Sequence, residues 1–220
     1  MAPFPGDDDA LREYVKQRWR RRDVLSMGGL SLVVAAMVLA TLLSSGGGWE
    51  RVIGLRADAS VTSGVGATCV DDGAAFAVCW RHAMLESEQA ASSYRNFHPY
   101  DHSMLLVLDA FRRHGIAAAM VDDFRVLRIM LLLLLTASVV GVVLAAVPES
   151  RVVLSTARCM LAVQTALAIA ATVVAAAFHG RRDGPLWRGG FGPDAPVPSL
   201  VLGPLWWVSL VVAAALCAAC

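Results

Sequence analysis

The densest set of potential metal ligands is His98-Pro99-Tyr100-Asp101-His102, two imidazoles and a carboxylate within five residues. Zinc takes such ligands, and His82 and His114 could join them only through folding. Pro99 opposes a continuous helix through His98, so the four-residue spacing does not by itself assure that the two rings share one face. A polar turn without metal is the expectation. Nucleophilic chemistry has even less support, because there is no glycine elbow, phosphate loop or His-Glu-x-x-His pattern. The apolar runs carry no paired carboxylates or histidines of the kind a proton relay or ion path uses. Their main polar side chains, Gln164 and Thr165, suit hydrogen bonds between helices. The residues therefore point to a protein that is not an enzyme and holds no cofactor. The remaining reactive pair is Cys69 and Cys79, which bracket Val-Asp-Asp-Gly-Ala-Ala-Phe-Ala-Val.

The elements around that pair are set by hydropathy. Of the 220 residues, 57% are hydrophobic and the mean hydropathy is +0.58, above the roughly 45–50% apolar content of a soluble domain. Four nearly charge-free blocks, Val24–Ser45, Ile129–Val147, Cys159–Phe178 and Leu200–Cys220, are each close to the ~20 residues of helix that cross a hydrocarbon core. The first is too long for the roughly 7–15-residue core of a signal peptide and follows an acidic stretch, Asp7-Asp8-Asp9, so it reads as a retained span. Residues 1 to about 10 read as disordered, and residues 10–23 as a charged downward continuation of the first helix, with Trp19 at the headgroup level. Arg12, Lys16, Arg18, Arg20, Arg21 and Arg22, with Arg151 and Arg158 between the second and third spans, outnumber Arg181, Arg182 and Arg188 on the other side. By the positive-inside rule residues 1–23 and Pro148–Arg158 are cytoplasmic, while 46–128 and His179–Ser199 face outward. Both termini are then cytoplasmic, and the fourth span reaches the last residue without a tail. The basic cluster before the first span has a topological role and is no nucleic-acid surface, which needs clustered cations on a soluble module.

The outer segment 46–128 opens on Gly46-Gly47-Gly48-Trp49 and then reads as short strands, 51–57 and 75–80, with Val61, Val65 and Val70 in an intervening one. The turn Asp71-Asp72-Gly73 would let Cys69 and Cys79 face each other on paired strands. Outside the cell a disulfide between them is permitted, and closing this short loop is worth ~2.8 kcal/mol on a chain-entropy argument. A helical period from Ser103 to Ile116 predicts a pre-membrane helix, with Asp122, Asp123, Arg125 and Arg128 at the interface level; the apolar stretch 115–121 could equally extend the second helix. Pro148 ends the second span. The Gly- and Pro-rich outer loop 179–199 reads as irregular structure, and Trp187, Trp206 and Trp207 as an interfacial belt. Arg51, Arg56 and Arg81 with Asp58, Asp71 and Asp72 mix both signs on the outer segment and are candidate partner contacts. Small residues at Gly28-Gly29 and Ala35-Ala36 allow close helix approach. Cys159, Cys217 and Cys220, at cytoplasmic ends, are small apolar side chains or palmitoylation sites.

This plan resembles the superfamily of claudins, peripheral myelin proteins and calcium-channel gamma subunits, whose signature is a Trp soon after the first span and a Gly-Leu-Trp-x-x-Cys with a second cysteine about ten residues away. Trp49 matches the first position, and Cys69 and Cys79 the cysteine pair. Phe76, three before Cys79, stands where gamma subunits carry the motif's tryptophan, and Ser93–Pro99 resembles their outer loop. Ahead of Cys69 the claudin tryptophan is absent. The resemblance implies an all-α transmembrane four-helix bundle with a small extracellular antiparallel sheet in the first outer loop. It further implies a multi-pass protein of the plasma membrane or another secretory-pathway membrane, surrounded by lipid. Such a protein binds another integral membrane protein, a channel or receptor, as a gamma-type auxiliary subunit. The alternative is a claudin-like or amastin-like adhesive protein that assembles with copies of itself; a small transporter or membrane enzyme would need ionisable groups or broken helices within the spans.

Overall fold

The structure, a computed structural model, describes residues 7–43, 48–53, 60–71, 77–81, 109, 115–147, 151–182 and 199–219. Four helices, α1 (Asp7–Leu43), α2 (Ile116–Ala146), α3 (Arg151–Arg181) and α4 (Pro204–Ala219), pack in succession, with α4 returning to touch α1. Within the first three, Leu11–Leu43, Ala118–Ala146 and Val152–Arg181 are long and apolar enough to cross a membrane, while α4 is an apolar helix of 16 residues. Their outer faces leave large apolar side chains exposed, among them Leu25, Leu32 and Leu39 on α1, Ile129, Leu133 and Val143 on α2 and Val173 on α3. Exposed apolar area of this extent is unfavourable in water, and lipid tails cover it. The chain is a membrane protein.

Polar atoms inside the bundle are few and are matched. Gln164 of α3 is fully buried; its Nε2 donates to Ser31 Oγ of α1 (3.0 Å) and to the Ala137 carbonyl of α2 (3.2 Å). One side chain thus ties three helices where no water competes for its bonds. Thr165 donates back to the Leu161 carbonyl of its own helix (2.8 Å). Gly28 lets α1 approach Ala145 of α2, and a Cβ at Gly141 would meet Ser31 Oγ at 2.5 Å, whereas Gly29 faces open space.

At one end of this bundle lies a five-stranded antiparallel sheet built from β1 (Glu50–Ile53), β2 (Ser60–Ser63), β3 (Ala67–Asp71), β4 (Ala77–Arg81) and β5 (Ser199–Leu202), in the order β4-β3-β2-β1-β5. The register places Leu200, Val52, Val61 and Val70 in one row across the sheet. All four are buried and form one core with Ile116, Met120 and Phe124 at the start of α2. Strand alternation puts Arg51, Thr62, Cys69 and Cys79 on the opposite face. Cys69 and Cys79 are directly paired across β3 and β4 and form a disulfide, with Cα atoms 4.0 Å apart.

The sheet is stitched to the bundle where β5 meets α4. The N–H of Gly203 donates to the Trp49 carbonyl (2.7 Å) and that of Leu205 to the Gly48 carbonyl (3.2 Å). Pro204 then occupies the first helical position, where its missing N–H costs nothing. Gly48 has a φ of 46°, a left-handed conformation that glycine adopts freely. A Cβ on Gly203 would fall inside the Gly48 carbonyl, and backbone cannot yield as a side chain can. Gly203→Ala is therefore expected to destabilise the protein by at least about 1–3 kcal/mol, the range for forced overpacking. The thermal midpoint in detergent measures this, and an unchanged midpoint would show that the seam is not as tight as described.

Several boundaries differ from the sequence reading. Asp7–Ala10, expected to be disordered, open α1. Segment 116–128, placed in the outer segment with 115–121 left open as part of a longer second helix, is continuous with the second span in α2, which starts directly after Gly115 (φ 62°). At its other end Val147 is extended, as the residue before a proline prefers. The connector 148–158 is mostly helix, because α3 begins at Arg151. At its far end α3 runs on to Arg181, three residues past Phe178, where His179 and Arg181 suit a helix C-terminus. Leu200–Leu202, expected to begin the fourth span, form a strand against β1, so the sheet is not confined to the first outer loop. The intervening strand around Val61, Val65 and Val70 is two strands, β2 and β3, joined by a tight turn closed by Gly64 N–H to Ala67 O (2.9 Å).

Candidate functional site

An acidic residue at the start of β1, another near the start of α2 and a basic run at the end of α3 are brought together by the fold. Arg182, immediately after α3, is buried between Glu50 and Asp123, all three side chains being 3–4% exposed. Its Nη2 and Nε donate to Glu50 Oε1 at 2.5 and 3.2 Å, and its Nη1 donates to Asp123 Oδ2. Arg181, half exposed, donates from Nη2 to Asp123 Oδ1 (2.6 Å), and His179 Nδ1 lies 3.2 Å from Glu50 Oε1. An ionised carboxylate only accepts, so His179 carries its proton on Nδ1 in this contact. The Arg182 guanidinium also lies over the Phe124 ring, 5.3 Å from its centroid. Trp49 borders the same junction with its ring buried, beside Phe124, Leu127, Ala175 and Phe178. The indole N–H of Trp49 and Glu50 Oε2 have no hydrogen-bond partner among the described residues.

This constellation clamps β1 to α2 and α3. Three buried charges stabilise a structure only when their mutual attraction and hydrogen bonds offset the loss of hydration, and here each carboxylate has at least two donors. Burial pushes the Glu50 carboxyl up, but the His179 hydrogen bond and the Arg182 charge together outweigh it and hold Glu50 below its ordinary range. A carboxyl whose folded pKa is depressed contributes stability above its unfolded value, roughly 4.3, and loses it as pH falls through the folded value. The pH dependence that Glu50 gives to the midpoint of thermal unfolding should accordingly lie below about pH 4.3, its stabilisation being fully present at neutral pH, so Glu50→Gln should lower the midpoint there while flattening this acid limb. Equal acid limbs for both proteins would remove Glu50 from the account.

The residues singled out from sequence separate into two groups. Trp49 is in the clamp's wall. Arg51, Cys79 and Arg81 are exposed on the sheet's outward face, where Cys69 is covered, and Asp71 ends β3 with its backbone paired to Ser60 and Ala77. Arg56, Asp58, Asp72, Phe76, Trp187 and the His82, His98, Asp101, His102 and His114 set lie outside the described residues, as do residues 103–108 and 110–114 of the predicted helical period 103–116, and Cys220. No group of three or more metal-ligating side chains occurs among the described residues. Cys159 and Cys217 are free and exposed at the end of the bundle away from the sheet. Trp206 uses its indole N–H on the Thr172 carbonyl (3.1 Å), and Trp207 is exposed beside it.

No protein-family model matches this chain, and no curated protein matches it. What it does has to be read from its own geometry. The clamp of Glu50, Asp123, His179, Arg181 and Arg182 was not foreseen as a unit. Its one sequence signal was opposite charges at the ends of otherwise uncharged runs that the fold gathers beside the sheet, Glu50 after the first, Asp123 before the second and Arg181-Arg182 after the third.

Proposed function

We propose that this chain is a non-enzymatic four-span membrane interaction protein of claudin-like plan, most like a gamma-type auxiliary subunit, whose sheet is a recognition platform for another integral membrane protein. The observation that carries this reading is the clamp, which fixes β1 to two membrane helices and so makes the outward face, with Arg51 and Arg81 exposed, rigid relative to the bundle. A partner engaging both the platform and the lipid-facing helices would feel any relative movement of the two as a difference in contact energy. An auxiliary subunit biases a channel or receptor only through such differential contacts. Counted over the short segments alone, eight cations at the end away from the sheet (Arg12, Lys16, Arg18, Arg20, Arg21, Arg22, Arg151 and Arg158) against three from the last residue of α3 onward (Arg181, Arg182 and Arg188) support a cytoplasmic location for that end and for both termini. The sheet then lies outside the cell or in a lumen of the secretory pathway, where its disulfide is permitted.

A photo-crosslinking amino acid at position 51 or 81 of the full-length protein, expressed in its own membrane, tests the platform. The expected result is a discrete adduct with a second integral membrane protein, absent when the probe is moved to Leu11, exposed at the end of α1 away from the sheet. Adducts only between copies of this chain would replace the auxiliary reading with self-assembly, and no adduct at either sheet position would remove the platform.

A further inference from the structure

At the end of α1 away from the sheet, the helix leaves the bundle with nearly every residue from Leu11 to Arg22 exposed. Cations there are not evenly spread. At about 100° per residue, Arg18, Arg21 and Arg22 lie within about 60° of Leu25, and Leu32, Leu39 and Leu43 lie within about 40° of it. These leucines are the exposed, lipid-facing stripe of α1, Leu25 being 54% and Leu32 58% exposed. Arg12, Lys16 and Arg20 fall on the far side by the same count. So does Asp23, which borders a different groove together with Arg158 of α3. Arg18, Arg21 and Leu25 with Tyr14 line a groove between α1 and the end of α2 at Ala145–Val147, and Arg18, Arg21 and Arg22 with Trp19 line the surface next to it. Arg22 also lies over the Trp19 ring, 5.9 Å from its centroid.

We propose that Arg18, Arg21 and Arg22 form a binding site for the phosphate headgroup of an anionic phospholipid, whose acyl chains run along the Leu25–Leu32 stripe. The rise of ~1.5 Å per residue puts the three arginines about 5–10 Å beyond Leu25. A headgroup layer is about 5–7 Å deep on each side of the hydrocarbon, so their long side chains reach phosphate oxygens at that depth. Guanidinium groups bind phosphate through paired N–H donors, and Trp19, next to them on the helix, is a ring suited to the same layer. Charge and apolar surface are thus aligned on one face in the order that a phospholipid presents them. The cations on the opposite face have no such stripe beneath them.

The test is native mass spectrometry of the full-length protein in detergent, titrated with phosphatidylglycerol, with phosphatidylcholine of the same chain length, and with inorganic phosphate. Phosphatidylglycerol should be retained over phosphatidylcholine. Each arginine contributes about fivefold near an anionic surface, so Arg18→Gln, Arg21→Gln and Arg22→Gln together should weaken retention on the order of 100-fold. The comparison variant removes the same charge from the other face, with Arg12→Gln, Lys16→Gln and Arg20→Gln, and should retain the lipid within about fivefold. All six side chains project from a helix outside the bundle, so both variants remain folded, and an unchanged thermal midpoint verifies it. Equal losses in the two variants would reduce the site to general charge attraction and overturn it. Binding of inorganic phosphate as tight as that of the lipid would also overturn it, by showing that the leucine stripe contributes nothing.

Discussion

Arg182→Met should destabilise the protein by about 3–5 kcal/mol, the loss expected when one partner of a buried charge cluster is removed and the others stay. The methionine fills much of the same volume but leaves Glu50 without its two guanidinium bonds and Asp123 with only the half-exposed Arg181. Unfolding titrated with dodecyl sulfate in mixed micelles gives the number. Two further variants make the result specific. Arg181→Met removes the half-exposed partner of the buried Asp123, which keeps its bond to Arg182, and should cost about 1.5–3 kcal/mol, less than Arg182→Met. Adding Glu50→Gln and Asp123→Asn to Arg182→Met removes the stranded charges and should recover much of the loss. If the triple variant is no better than the single one, Arg182 acts through its packing over Phe124 and not through its charge.

Trp49→Ala is the second large effect, about 3–5 kcal/mol, as for a buried aromatic truncated in a core that cannot collapse around the gap. The ring is 3% exposed and stands between sheet and helices, and its backbone is held from both sides by Ser63 and Gly203. Those main-chain bonds prevent β1 from sinking into the space the indole leaves. Trp49→Phe should be far milder, within about 1.5 kcal/mol, because the indole N–H it deletes has no partner among the described residues. Limited proteolysis of the detergent-solubilised protein provides a local readout, with the alanine variant cut in the sheet before the bundle opens. Simultaneous loss of sheet and bundle would mean that Trp49 supports both as one unit.

The parts of this fold that composition controls were legible in the chain. Apolar blocks of spanning length are visible one residue at a time, and so is a cysteine pair ten residues apart. β5 was not, because Leu200-Val201-Leu202 have the hydropathy of a helix start. Only Gly203-Pro204, a break inside an apolar run, marked the change, and it was passed over. The clamp was hidden for a different reason. Charges at the ends of membrane segments normally meet water and headgroups, so Asp123 read as a marker of depth and the two arginines as part of the charge count that sets orientation. That they meet one another is a property of how α2, α3 and β1 pack, and neither hydropathy nor spacing along the chain encodes it.

The position of β5 in the sheet has a consequence for how the chain is made. Strands β1 to β4 lie within one short stretch and can find one another, and form their disulfide, while only the first helix is in place. β5 pairs residue 202 with residue 50, so its addition must wait until α3 has been synthesised and inserted. Contacts so distant in sequence form slowly, because the loop they close must be ordered before they repay it. During biogenesis the edge of β1 therefore stays unpaired until the last strand arrives, which makes this interval the one in which a chaperone or a neighbouring chain could capture the protein.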